Sequence, residues 1–548
     1  MRTAIQAGSL LAFVGLFALA NVRLPEWLPE WLPVDLYLRL DPLLLLGAVV
    51  AERAWIARAL WALPLLVATL LFGRFFCGYL CPLGAILDFF DPLLHGGRRR
   101  RPPAPEAAWR QVRFALLAAI GAAALAGLSL AYLLDPIALL TRTFTYVFAP
   151  AAAVIANLGL DLVRPAAARL GWIDLAYLSL PQPAYFTSLA TAVLFAGIVA
   201  LGRAAPRFWC RYLCPLGALL SLAAPLSLFR RRATAECTAC NRCRSACPVG
   251  AIVEGADPVS PADCLLCRRC AEACPHKAVR FPALLAAGER IFRAGEHGPV
   301  ALSRRTFLAA AGGGLSLATL TEQTPFSRLH GKRQLVRPPG ALPEPAFLRV
   351  CLRCGLCMQS CPTNTLQPCL WESGLAGMWT PRLALRYAPC DQHCAVCGQV
   401  CPSQAIRGLP LAEKTHARIG TAVLKKELCL VWAQDKPCLI CDEICPYNAI
   451  VFRTVEGHRR PVVIAARCNG CGFCEERCPV KGESAIVVVP DGEIRLEEGS
   501  YRAEAERLQY QFVPHPGDDR FFFSGPGLKA DGPPAPSPPA PGKPKGFL

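Results

Sequence analysis

The chain has 548 residues, enough for three or four domains of ordinary size. Hydrophobic residues make up 53%, and 29 cysteines and 50 prolines accompany them, a balance that excludes one ordinary soluble domain. The net charge of +18 comes with arginine clusters beside apolar runs, at 98–101 and 230–232; this reads as positive-inside anchoring, and with no nucleic-acid motif alongside it no nucleic-acid partner is expected.

Residues 1–230 read as a membrane domain. The run 4–22 approaches the roughly 20 residues a spanning helix needs. A signal peptide is the alternative, but no small-residue cleavage site follows, and the next segment carries Trp, Tyr and Pro suited to an interface. Further spans are expected at 57–73, 113–134 and 185–202, while 42–52 is too short to cross alone and reads as re-entrant. The half contains a repeat: a span, an Asp-Pro followed by leucines, a second span, then an aromatic-rich C-x3-C-P. The first copy supplies Asp41, Cys77 and Cys81 (FFCGYLCPLGAIL); the second supplies Asp135, Cys210 and Cys214 (FWCRYLCPLGALL). Two copies of a two-span unit predict a four-helix bundle with pseudo-twofold symmetry. Basic loops at 95–113 and up to Arg232 go to the cytoplasm and the 135–184 loop outside, so the N-terminus lies inside.

Asp41 and Asp135 are candidate proton acceptors, since carboxylates at membrane depth are costly and often functional. The bland alternative is an Asp-Pro helix cap at the interface. Cys77, Cys81, Cys210 and Cys214 have three readings: one more metal centre, redox-active disulfides, or thiols at a helix start.

Residues 231–285 form a first ferredoxin-like module. Cys237, Cys240, Cys243 and Cys247, then Cys264, Cys267, Cys270 and Cys274, each follow C-x2-C-x2-C-x3-C-P. A cubane needs four thiolates converging on one small object, and in two-cluster ferredoxins the fourth cysteine of each run serves the other cluster. Cys274 is therefore grouped with Cys237, Cys240 and Cys243, and Cys247 with Cys264, Cys267 and Cys270. Residues 286–325 are a linker in which Ser303, Arg304, Arg305, Thr306, Phe307 and Leu308 match a twin-arginine export motif. The alternative is a linker helix with incidental arginines. On the export reading the run stays as a fifth span and everything after about residue 322 is periplasmic.

Residues 326–500 form a second module with four quartets: Cys351, Cys354, Cys357, Cys361; Cys390, Cys394, Cys397, Cys401; Cys429, Cys438, Cys441, Cys445; and Cys468, Cys471, Cys474, Cys478. The second opens with an extra residue and the third has a longer first gap, yet all end in Cys-Pro. Nested and neighbour exchange between quartets are both open. Tight quartets argue against a disulfide framework, and continuous Cys-Pro runs poor in His argue against zinc. About six [4Fe–4S] clusters are expected. Cys369 is left over and reads as a buried, unreactive thiol. Residues 501–548 are an extension with a Pro-rich, disordered tail. No C-x-x-C-H and no nucleotide fingerprint occurs, and none of the eight histidines lies in an expected span, so haem and nicotinamide chemistry are not indicated.

The membrane half with its paired C-x3-C-P motifs and trailing two-cluster module resembles the NapH/MauN-type membrane ferredoxins. The second half, SRRTFL followed by CLRCGLCMQSCPTNTL and three more quartets, resembles the NapG/MauM-type exported ferredoxins. The resemblance implies a fusion of partners usually encoded separately, and electron flow from membrane quinol to a periplasmic redox protein or reductase. The expected fold is multidomain: a four-span α-helical membrane bundle built as two repeats, a fifth span, and two α+β bacterial-ferredoxin-like modules in a bacterial inner membrane. The expected function is iron–sulfur electron transfer from quinol, enzymatic in the sense of a quinol dehydrogenase. The alternative is a non-catalytic wire or maturation factor that supplies electrons to activate a metalloenzyme.

Overall fold

The computed structural model describes residues 2–20, 33–53, 57–95, 107–252, 259–283, 302–323, 335–370 and 372–512. The arginine cluster at 98–101, residues 21–22 of the first expected span, much of the 286–325 linker and the tail from 513 lie outside them.

The N-terminal half is helical: α1 (Arg2–Leu19), α2 (Pro42–Glu52), α3 (Leu63–Phe72), α4 (Pro82–Leu94), α5 (Ala107–Leu125), α6 (Pro136–Arg169), α7 (Ser188–Ala200) and α8 (Pro215–Ala223). Among the described residues, α1 and α6 alone are long and apolar enough to cross a membrane by length and composition. Of the four expected spans, the first, 4–22, coincides with one of these two, and 57–73 and 185–202 coincide with shorter apolar helices. The 57–73 run is a 3-10 stretch (Ala57–Ala62) followed by the ten-residue α3, and the 113–134 run stops as helix at Leu125, before Gly127 turns left-handed (φ +86°). The expected 135–184 loop holds α6, a helix of 34 residues. Pro150 and Pro165 both lie within it. Pro150 has no N–H to donate to Tyr146, but a π-type turn over Phe144–Phe148 shifts the ladder just before it, so Ala149 N bonds Phe144 O.

The helices share a continuous core containing Leu83, Ile137 and Leu216 together with Cys77, Cys81, Cys210 and Cys214. Many outward side chains are large and apolar, with Leu162 84% and Leu189 78% exposed. A ninth long helix, α9 (Arg304–Gln323), lies along α5. A Cβ at Gly314 would stand 2.1 Å from Ala119 O, so the approach requires glycine there.

The cysteine-rich segments carry short antiparallel pairs: β1 (Arg232–Ala233) with β2 (Val279–Arg280), β3 (Leu366–Pro368) with β4 (Pro381–Leu383), β5 (Thr421–Leu424) with β8 (Ile486–Val489), and β6 (Ile450–Val455) with β7 (His458–Val463). They dock at opposite ends of the bundle. At the start of α5, Arg110 and Arg113 pair with Asp263, and Tyr79 donates to Leu266 O at 3.1 Å. Beyond its other end, Arg353 donates to Ser129 O at 2.9 Å, and Tyr185 donates to Met358 O at 3.1 Å. Arg349 pairs with Glu52 at 2.9 Å on that side.

Candidate iron–sulfur sites

The regular quartets are shaped by their backbone. On both sides of the second cysteine the chain turns left-handed: Ala239 and Asn241, Leu266 and Arg268, Arg353 and Gly355, Gly470 and Gly472. That pair of turns curls the loop so that three thiols face inward. Gly470 is needed twice over, because its φ is +85° and a Cβ would meet Gly420 N at 2.6 Å. The two irregular quartets lack these turns; Ala395 has φ −128° and Leu439 −115°. After five of the six Cys-Pro steps a left-handed residue stands two positions beyond the proline: Gly250, Lys277, Asn364, Gln404 and Asn448. The turn swings the next amides back onto the sulfur. Ala251 N donates to Cys247 Sγ at 3.3 Å, Ala449 N to Cys445 Sγ at 3.3 Å, and Ile406 N to Cys401 Sγ at 3.5 Å. Such bonds favour the thiolate and raise the potential of whatever it ligates.

The structure brings the thiols together in six groups. Cys237, Cys240, Cys243 and Cys274 line one cavity, and Cys264 and Cys270 gather with Cys267 and Cys247. In the second module Cys401 joins Cys351, Cys354 and Cys357, while Cys361 joins Cys390, Cys394 and Cys397. Cys478 joins Cys429, Cys438 and Cys441, and Cys445 joins Cys468, Cys471 and Cys474. Exchange is thus between neighbouring quartets, the choice the spacing left open. Burial, and then the neighbouring thiols, push Cys270 up to about 11 and Cys441 up to about 12. Four such groups cannot ionise together without a central positive charge, which iron supplies. The donor set suits an iron–sulfur cluster. Among the described residues no three Cys, His, Asp or Glu side chains are grouped as around a single ion.

In the bundle Cys77, Cys81, Cys210 and Cys214, all buried, also converge. Asp41 and Asp135 cap their helices: Asp41 Oδ1 accepts from Leu43 N at 2.8 Å and Leu44 N at 3.2 Å, and Asp135 Oδ1 from Ile137 N and Ala138 N at 2.8 Å each. The two carboxyls also face each other, both fully buried. Cys369 is buried beside Arg337, whose Nη1 lies 3.6 Å from its sulfur.

Sequence reasoning missed the arginines Arg74 and Arg207. Each stands three residues before the first cysteine of its copy, in RFFC and RFWC, a repeat that was visible in the sequence.

Comparison with known proteins agrees with this chemistry. A 4Fe-4S binding domain matches residues 54–102 and 187–234, one match on each copy of the repeat. Another 4Fe-4S binding domain matches 264–278 and 351–365, and a 4Fe-4S dicluster domain matches 436–481. The chain is 39% identical over 209 residues to the methylamine utilization ferredoxin-type protein MauM of Methylorubrum extorquens, covering 35% of this chain and 91% of that protein. The chain belongs to the MauM/NapG ferredoxin-type family. It is 38% identical over 187 residues to MauM of Paracoccus denitrificans, covering 32% of this chain and 80% of that protein. With the ferredoxin-type protein NapG of Escherichia coli it shares 37% over 193 residues, covering 33% of this chain and 79% of that protein. No solved structure matches the chain. As a member of this family it is an iron–sulfur, ferredoxin-type electron-transfer protein.

Proposed function

We propose that the chain carries electrons from membrane quinol, through six [4Fe–4S] clusters held by the six thiol groups, to a periplasmic acceptor. The observation that supports it is the docking of two cysteine-rich modules on opposite ends of one helical bundle whose outer side chains are apolar. That exposed apolar surface suits lipid, and the resemblance of the N-terminal half to NapH/MauN-type proteins fits the same reading. On it, the end bearing Asp263 is cytoplasmic and the end bearing Arg353 periplasmic.

When bound, [4Fe–4S] clusters supply one-electron carriers. The chain's own residues hold them, exclude water and set their potentials. Asp41 and Asp135, held by caps yet facing each other at the heart of the bundle, are placed to take protons as quinol is oxidised.

The test uses anaerobically purified protein in liposomes with a reduced menaquinol analogue, read by low-temperature EPR. Cluster reduction by quinol that fails in the Asp41→Asn/Asp135→Asn variant supports the reading. Clusters reducible by dithionite but not by quinol would sink it and leave a wire fed by a protein donor.

A further inference from the structure

The four bundle cysteines lie outside the six groups, and their surroundings contain an electrostatic imbalance. The two copies of the repeat embrace through swapped arginines. Arg207, from the second copy, reaches into the first: Nη1 donates to Cys77 O at 2.8 Å and Nη2 to Gly84 O at 3.2 Å. Its charge is answered, because Nε and Nη2 grip Asp88 at 3.0 and 2.9 Å. Arg74, from the first copy, reaches into the second in the same way. A Cβ at Gly217 would stand 2.6 Å from its Nη2 and 3.5 Å from Cys214 Sγ. Here the symmetry breaks. The residue matching Asp88 in the second copy is Ser221, whose hydroxyl donates to Gly217 O at 2.6 Å.

Arg74 is therefore a guanidinium 1% exposed whose bond to Ala262 O is a long 3.4 Å, while its Nε and Nη2 are buried without a hydrogen-bond partner. A buried charge in that condition is costly unless something negative completes it. The charged groups it faces are Cys77, Asp263, Cys214 and Cys210, and Asp263 is already ion-paired to Arg113 and Arg110. As neutral thiols the cysteines offer little; as thiolates around a metal core they carry a net negative charge and accept hydrogen bonds.

We propose that Cys77, Cys81, Cys210 and Cys214 together hold one iron–sulfur centre, shared between the two copies and completed by the charge of Arg74. Each copy contributes only two cysteines, so neither copy makes a site alone; the centre exists only because the copies pack face to face. The four thiols give up their protons on binding, and iron takes the sulfurs. Arg74 is the positioning residue. The site lies next to the Cys264 group, since a Cβ at Gly78, between Cys77 and Cys81, would stand 2.7 Å from Leu265 O. It rests on the iron–sulfur reading of the chain, and not on quinol as the donor.

The experiment counts iron and acid-labile sulfide in full-length, anaerobically purified protein, with Mössbauer and EPR spectra, for the wild type and for Cys77→Ser and Cys214→Ser. The expected wild-type content exceeds the six groups' roughly 24 iron atoms by about two to four. Each variant loses that excess and one spectral component while the rest stays. Arg74→Gln keeps the iron but lowers the potential of that component. Should the serine variants fail to accumulate, the wild-type iron and sulfide count decides, and anaerobic denaturation with a chelator and an alkylating agent excludes a disulfide: all four cysteines alkylate without reductant. Iron content unchanged by the variants, or alkylation only after reductant (a disulfide), overturns the proposal. Excess iron that quinol cannot reduce would sink the quinol reading and leave this site standing.

Discussion

Replacing Asp263 by Asn tests how the first module is fastened. Asp263 is 7% exposed and receives Arg113, itself 3% exposed, and Arg110 at 3.3 Å. At that distance and an effective dielectric near 20, one pair is worth about 5 kcal/mol before desolvation is counted. Removing one member of a buried pair typically costs about 3–5 kcal/mol, because the partner is left charged and alone. Arg110, whose side chain is 25% exposed, contributes the smaller share. A loss of about 3 kcal/mol is a factor of roughly 100 in an opening equilibrium. Hydrogen exchange of residues 259–283 reads that equilibrium directly, where a single unfolding temperature for so many-parted a protein is ill-defined. EPR on the same sample checks that the neighbouring Cys264 group is intact. In a cycle with Arg113→Met the double variant should recover about 2 kcal/mol, the coupling of the pair. If Asp263→Asn raises exchange by less than about threefold, or the cycle is additive, the ion pair is not what holds this module on the bundle.

Three further outcomes follow from the geometry. Because exchange runs between neighbours, Cys401→Ser should alter the same EPR component as Cys351→Ser, and Cys361→Ser the same one as Cys390→Ser; a shared component for Cys478→Ser and Cys351→Ser would restore the nested arrangement. Burial would raise the Glu344 carboxyl, but the hydrogen bond and charge of Arg337, with Arg495 behind them, outweigh it and hold it below the usual range. Its contribution is therefore fully present above about pH 4.3 and is lost as pH falls through the lower folded value. With the side chain 37% exposed the size is about 1 kcal/mol, read as an acid-side loss of second-module stability that Glu344→Gln lacks. Asn caps a helix as well as Asp does, so Asp41→Asn and Asp135→Asn should leave stability within about 1 kcal/mol while slowing quinol-driven reduction on the order of 100-fold; an unchanged rate makes them caps only.

The quartets and the repeat were legible because cluster chemistry demands fixed spacings and the duplication preserved them. Cys237 to Cys274 even disclosed their exchange. The exchange among Cys351 to Cys478 was not legible, since it depends on long-range packing such as β5 on β8, which a spacing does not encode. Hydropathy did not disclose α6 for a related reason. Pro150 removes a ladder hydrogen bond, and the π-type turn at Phe144–Phe148 lets α6 run through it. Arg74 and Arg207 were written in RFFC and RFWC, but a charge beside an apolar run reads as an anchor until its partner across the repeat is seen.

Thiol contacts also order the groups along the molecule. Cys243 lies near Cys270 in the first module, and Tyr79 and Gly78 of the bundle meet the loop before Cys267. At the other end Tyr146 of α6 meets Met358, inside the Cys351 group's loop. From there Cys357 lies near Cys397, Cys390 N bonds Cys471 O at 2.8 Å, and Cys474 lies near Cys441. The order runs from the Cys237 group through the bundle to the Cys429 group, without a branch. Both groups facing the bundle, those of Cys264 and Cys351, come from regular quartets with left-handed flanks, which fix three thiols in one rigid curl. The quartet with the longest insertion sits at the far end, where Leu439 is 50% and Ile440 38% exposed beside Cys438 and Cys441. Loop variation is tolerated there because, among the described residues, no helix of the bundle packs closely against it.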